Sequence, residues 1–162
     1  MSALGEAAAG VHPTLAAYAV EPPPAGEWEA RLPGAPDRAF TMEAVYEGFL
    51  MHYREPRAFA GMDPDMRLLA GDALYALGLE RLAQEGDLAA VAELADLISL
   101  CARAEAEGRR GDVTRLWEAT LEALSPAGGP GARAVAEPAD ASLRPARDLA
   151  RSAQVSPEHR GS

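Results

Sequence analysis

The chain contains no lysine; all 15 of its basic residues are arginine. A phosphate loop of the GxxxxGK type is therefore excluded. Isoleucine occurs once, at Ile98, and phenylalanine three times. Strands draw on β-branched and aromatic residues, so this shortage favours helix. Cysteine occurs once, at Cys101, which excludes an intramolecular disulfide and lends no support to an oxidising compartment. HExxH, CxxC and GxSxG patterns are missing, and no Glu-x-x-His pair exists for a di-iron bundle. No run approaches 18 uninterrupted apolar residues, so no membrane span is expected. The first twenty residues lack a basic start and are broken by Glu6, Gly10, His12 and Pro13, which does not fit a secretory signal. The expected location is cytoplasmic.

What is abundant is acid, alanine and leucine. The formal net charge is −10, with sixteen acids against eight arginines between residues 41 and 124. Such a surface repels phosphate backbones and anionic lipid, so nucleic acid is not an expected partner. A domain of this size buries a modest fraction of its surface, so a protein partner or a homo-oligomer is expected.

The organisation expected along the chain is an all-α bundle of about four antiparallel helices between disordered arms. Residues 1–39 carry Glu21-Pro22-Pro23-Pro24 and Leu32-Pro33-Gly34-Ala35-Pro36, a proline density that blocks helix. They read as a mostly disordered Pro/Ala-rich arm. The competing reading lays this arm on the helical body with Trp28 docked in a groove, because a wet indole is unfavourable. Residues 40–125 read as the helical domain, and residues 126–162 as a disordered Gly/Pro/Ala/Arg-rich tail with a marginal helix over 143–155.

Within the domain, the first helix is expected from Thr41 as cap to Arg54, with Met42, Val45, Tyr46, Phe49, Leu50 and Tyr53 as its apolar stripe. Glu43, Glu47 and Arg54 are placed outside that stripe. The second helix starts at Asp63-Pro64-Asp65, an N-cap followed by proline at the first helical position. Its run from Met66 to Ala83 is apolar nearly all round, which reads as the central helix, and Gly71 and Gly78 suggest a close helix crossing. The third helix runs from Asp87 to Glu107 with Cys101 in its core face and Glu93, Asp96, Arg103 and Glu107 outward. Asp112 is expected to cap a fourth, carrying Leu116, Trp117 and Leu124 inward.

The candidate polar site is Asp72, the acid in the middle of the apolar run. A carboxylate there needs hydrogen bonds or a cation, for which Tyr46, Tyr53, Arg67 and Arg115 are candidates. Asp72 reads either as a structural acid or as a site acid. The candidate interface is Tyr46, Tyr53, Tyr75 and Trp117. No catalytic, cofactor-binding or metal-ligating set is assigned, since His12, His52 and His159 are scattered and a His52–Glu55 pair lacks further ligands.

Leu69-Ala70-Gly71-Asp72-Ala73-Leu74, followed by Ala76-Leu77-Gly78-Leu79-Glu80-Arg81-Leu82-Ala83, resembles a segment of the polyprenyl (trans-isoprenyl) diphosphate synthase family, and Ile98 to Gly108 is similar to the helix that follows. That family holds Mg²⁺ and a diphosphate with two DDxxD-type clusters, whereas this chain has no adjacent acid pair. The resemblance therefore implies a truncated relative or a non-catalytic small subunit that helps bind an apolar prenyl chain. Leu77-Gly78 and Gly86-Asp87 are also similar to a tetratricopeptide-like helical hairpin. The function expected from the residues themselves is a non-catalytic interaction protein, an adaptor or accessory subunit that buries an apolar helix face against a partner or a second copy.

Overall fold

The structure is a computed structural model that describes residues 1–136. Among these residues there are seven α-helices and no strand: α1 (Ala3–Gly10), α2 (Pro13–Ala16), α3 (Pro36–Tyr53), α4 (Pro64–Gln84), α5 (Leu88–Ala106), α6 (Arg110–Leu124) and α7 (Ala132–Val135). A 3₁₀ turn, Glu29–Arg31, precedes α3, and a single antiparallel bridge joins Ala19 to Phe59. Four long helices thus carry the fold, and three short ones are added by the segments expected to be arms.

The central element is α3, not α4. It contributes to all three apolar clusters: Met42, Val45 and Phe49 to the one shared with α5 and α6, Met51 to the one shared with α1 and the start of α4, and Phe40 and Ala44 to a third with Ala7. It begins at Pro36 rather than at Thr41, since proline suits the first turn of a helix. Thr41 is fully buried, and its hydroxyl donates to the Gly78 carbonyl at 2.9 Å. By contrast α4 buries only Ala70, Gly71, Leu74, Gly78 and Leu82, while Leu68 and Leu69 are 48% and 63% exposed. An apolar composition does not make a helix central when much of it is alanine and glycine.

The close crossing expected at Gly71 and Gly78 is present, and its other side is α3. A Cβ at Gly71 would stand 2.7 Å from the His52 ring and 3.1 Å from the Gly48 carbonyl oxygen. A Cβ at Gly78 would meet the Thr41 methyl at 3.0 Å. Gly48 completes the crossing from α3, where a Cβ would lie 2.9 Å from the Gly71 carbonyl oxygen. Without side chains at these three positions the two backbones approach closely.

The N-terminal segment is ordered on the body, which corrects the reading of residues 1–39 as mostly disordered. Ser2 caps α1 by accepting from the Gly5 N–H at 3.1 Å. Leu4, Leu15, Trp28 and Leu32 are buried. Trp28 stacks on Trp117 with ring centroids 5.6 Å apart and meets Tyr46 edge-on at 5.2 Å. Apolar anchors of this size offset the chain entropy that composition alone counts against order.

The remaining boundaries follow local chemistry. Asp63 accepts from the Met66 N–H at 2.9 Å and Asp87 from the Ala90 N–H at 3.2 Å, as N-caps do. The last long helix starts at Arg110, earlier than the expected cap Asp112; Asp112 lies in its first turn and accepts from Arg109 at 2.7 Å. Residues 126–136, read as tail, include α7, whose Ala132 is fully buried. The expected helix over 143–155 lies outside the described residues.

Candidate functional site

Three buried glutamates hold the irregular segments in place, and all three were expected on outward faces. Glu43 and Glu47 are fully buried and Glu93 is 5% exposed. Glu43 accepts the backbone N–H groups of Trp28 at 2.6 Å and Glu29 at 3.2 Å, and Nη2 of Arg57 at 3.1 Å. Glu47 accepts the N–H groups of Arg57 and Ala58, each at 2.7 Å, and Nε of Arg57 at 3.0 Å. Glu93 accepts the Thr120 hydroxyl at 2.8 Å and the Ala132 N–H at 2.7 Å. A buried carboxylate is tolerated when several donors satisfy it. The missed signal was that apolar residues flank Glu43 and Glu47 on both sides of α3, which leaves that helix no polar face.

Asp72 is not inside the protein. Its side chain is 74% exposed, and its Oδ1 lies 3.1 Å from Nε2 of His52. His52 is the last basic group of α3, and none of the partners expected for Asp72 is the one found. The contact is off the direction of a hydrogen bond, so it is an electrostatic one that operates when the imidazole is protonated. Tyr75, one turn on from Asp72, stacks on the His52 ring at 5.3 Å. Burial raises the Tyr75 hydroxyl well above the ordinary phenol range.

The other candidate residues fall in one aromatic cluster. Trp117 is 4% exposed, and Trp28 covers it within the same chain. Tyr46 stands edge-on to Trp117 at 4.8 Å and is half-buried, with Arg57 over its ring at 4.8 Å. Tyr53 stands 5.2 Å from Phe49. Burial raises both hydroxyls, with nearby carboxylates adding to it. A cleft of ≈ 340 Å³ opens beside this cluster, between α3 and α6. Cys101 is 2% exposed and its thiol is pushed up to about 12 by burial, which makes it a core residue and not a nucleophile.

A second cleft, of ≈ 430 Å³, lies where α3 ends and α4 begins, with His52, Arg54, Met62, Arg67 and Leu68 on its walls. Nη2 of Arg67 donates to the Arg54 carbonyl and, at 3.4 Å, to that of Leu50. Nη1 of Arg54 donates to the Tyr53 carbonyl at 2.8 Å. These guanidinium groups neutralise the negative end of α3. The cleft runs out onto the exposed surface of α4, where Asp65, Leu68, Leu69, Asp72, Ala76 and Glu80 all face solvent.

Among the described residues no group of three or more His, Cys, Asp or Glu side chains is placed to hold a metal ion, and no helix is long and apolar enough to cross a membrane. No protein-family model, curated protein or solved structure matches the chain.

Proposed function

We propose that the protein is a helical interaction module that buries the outward face of α4 against a protein partner. The observation that supports this reading is the exposure of Leu68 and Leu69, 48% and 63%, on adjacent positions of a well-formed helix beside an open cleft. Isolated surface leucines are ordinary, whereas Leu68 and Leu69 are adjacent and Leu68 shares its cleft with Met62, which makes an apolar shelf. Asp72 belongs to that shelf as a rim charge, and the aromatic cluster around Trp117 serves the internal docking of the N-terminal segment.

Leu69→Glu tests the reading without touching the core. Gel filtration of an extract from the native host, probed for the chain, is expected to show wild type in an assembly larger than the free chain. The same profile for Leu69→Glu is expected to shift to the free chain, with an unchanged thermal melt. An assembly that survives Leu69→Glu, or wild type that elutes only as the free chain, removes the basis for this function.

A further inference from the structure

The two arginines of α4 both turn away from its outward face. Arg81 donates to Asp37 at 2.8 Å and to Glu6 at 2.7 Å, and Arg67 reaches the carbonyls that end α3. Along the steps of four and three residues that run Asp65, Leu69, Asp72, Ala76, Leu79, Ala83, every member is exposed among the described residues except Leu79, which packs partly against the main apolar cluster and closes the stripe at that end. This is the spacing at which a helix meets another along a seam. Asp65 and Asp72 stand about 10 Å apart along the axis at ~1.5 Å per residue, and Ala76 and Ala83 leave room for large side chains opposite.

We infer that the partner element, on the reading of α4 as an interaction face, is a single amphipathic helix that is basic where it meets Asp65 and Asp72 and carries large apolar residues where it meets Ala76 and Ala83. Charge complementarity selects this occupant. In a symmetric pair the stripe would meet a copy of itself, and its acids would find no cation on the facing α4 in either direction. An anionic membrane is disfavoured for the same reason. A basic helix relieves the repulsion among Asp65, Asp72 and Glu80 while covering Leu69.

The test uses the full chain and three labelled synthetic peptides of 21 residues, the length of α4. One places arginine and leucine in the complementary register, one scrambles that sequence, and one replaces each arginine by glutamate. Fluorescence anisotropy is expected to show the first peptide binding at least about tenfold more tightly than the scrambled one, and the acidic peptide not binding. Leu69→Glu weakens the first peptide by more than about tenfold. The Asp65→Arg, Asp72→Arg double variant reverses the preference toward the acidic peptide. Leu69→Ser replaces Leu69→Glu should the latter melt early. Equal binding of the scrambled peptide, binding of the acidic peptide to wild type, or indifference to both variants overturns the inference. A Leu69-dependent dimer in sedimentation velocity assigns the face to a second copy and also overturns it. If no peptide binds while the extract retains a Leu69-dependent assembly, the partner chemistry is wrong and the interaction role stands; if that assembly is missing too, the role itself fails.

Discussion

Helix α3 carries Thr41, Glu43 and Glu47 with none of them exposed, while α4 carries Leu68 and Leu69 with both in solvent. Composition alone suggests the opposite arrangement. The difference lies in what each side chain meets. Around α3, backbone N–H groups of the N-terminal segment and of the α3–α4 connector converge on two carboxylates, so polar atoms inside become the means of fastening irregular chain. Around α4, three glycine positions bring one side against α3, α1 and α5 pack beside that contact, and the side that carries Leu68 and Leu69 meets no neighbour among the described residues. Hydrophobicity is thus a necessary condition for a central helix and an insufficient one; the number of surfaces that converge on it decides.

The largest effect that separates the two helices is expected from Glu47→Ala. It leaves Nε of Arg57 and the backbone N–H groups of Arg57 and Ala58 without their acceptor, while Nη2 of Arg57 keeps Glu43, a loss on the order of 3 kcal/mol by urea denaturation. An equal removal on α4, Asp72→Ala, is expected to stay within about 0.5 kcal/mol, because the side chain is exposed. A large loss at Asp72 would show that the acid is structural after all.

Gly48→Ala comes next. The added methyl meets the Gly71 carbonyl oxygen at 2.9 Å and the Tyr75 ring at 2.8 Å, so the helices must part, at about 1–3 kcal/mol. Ala76→Leu on the far side of α4 has solvent to occupy and is expected to leave the thermal midpoint nearly unchanged. If Gly48→Ala were neutral, the close crossing would not govern how α4 sits.

A smaller effect ties the start of α3 to the α4–α5 turn. Arg38 Nε donates to Asp87 at 2.7 Å and Nη1 donates to the Leu124 carbonyl at 2.8 Å. Arg38, and then the Ala90 N–H, hold the Asp87 carboxyl below the ordinary carboxylate range. A depressed folded pKa contributes stability that is present above the unfolded value, about 3.9, and is lost as pH falls through the folded one. Arg38→Ala is therefore expected to cost about 1 kcal/mol at neutral pH. The gap to wild type narrows in melts taken below about pH 4. A gap that widened on acidification would contradict this sign.

Residue pattern determines structure most directly where the physics is local. Asp63-Pro64 and Asp87 mark helix starts because a side-chain oxygen and its N–H partner lie three residues apart in sequence. Gly71 and Gly78 announced a close neighbour because mid-helix glycine has few other uses. Asp72 interrupts the middle of an apolar run, yet it stands in solvent, since Leu68 and Leu69 beside it are themselves exposed. Tyr46 and Trp117, candidates for an interface from the sequence, meet Trp28, which comes from a proline-rich segment about ninety residues before Trp117.

Helical class, the starts of α4 and α5, the lack of lysine chemistry and of an intramolecular disulfide, and the net negative charge all follow from residue type and short-range spacing, which the chain carries whatever its fold. The identity of the central helix, the burial of Glu43, Glu47 and Glu93, the ordering of residues 1–39 and the open face of α4 depend on contacts between residues far apart in sequence. The approach of α3 and α4 at Gly48, Gly71 and Gly78 is another such contact, and no periodicity within a single helix specifies which of its sides will be covered.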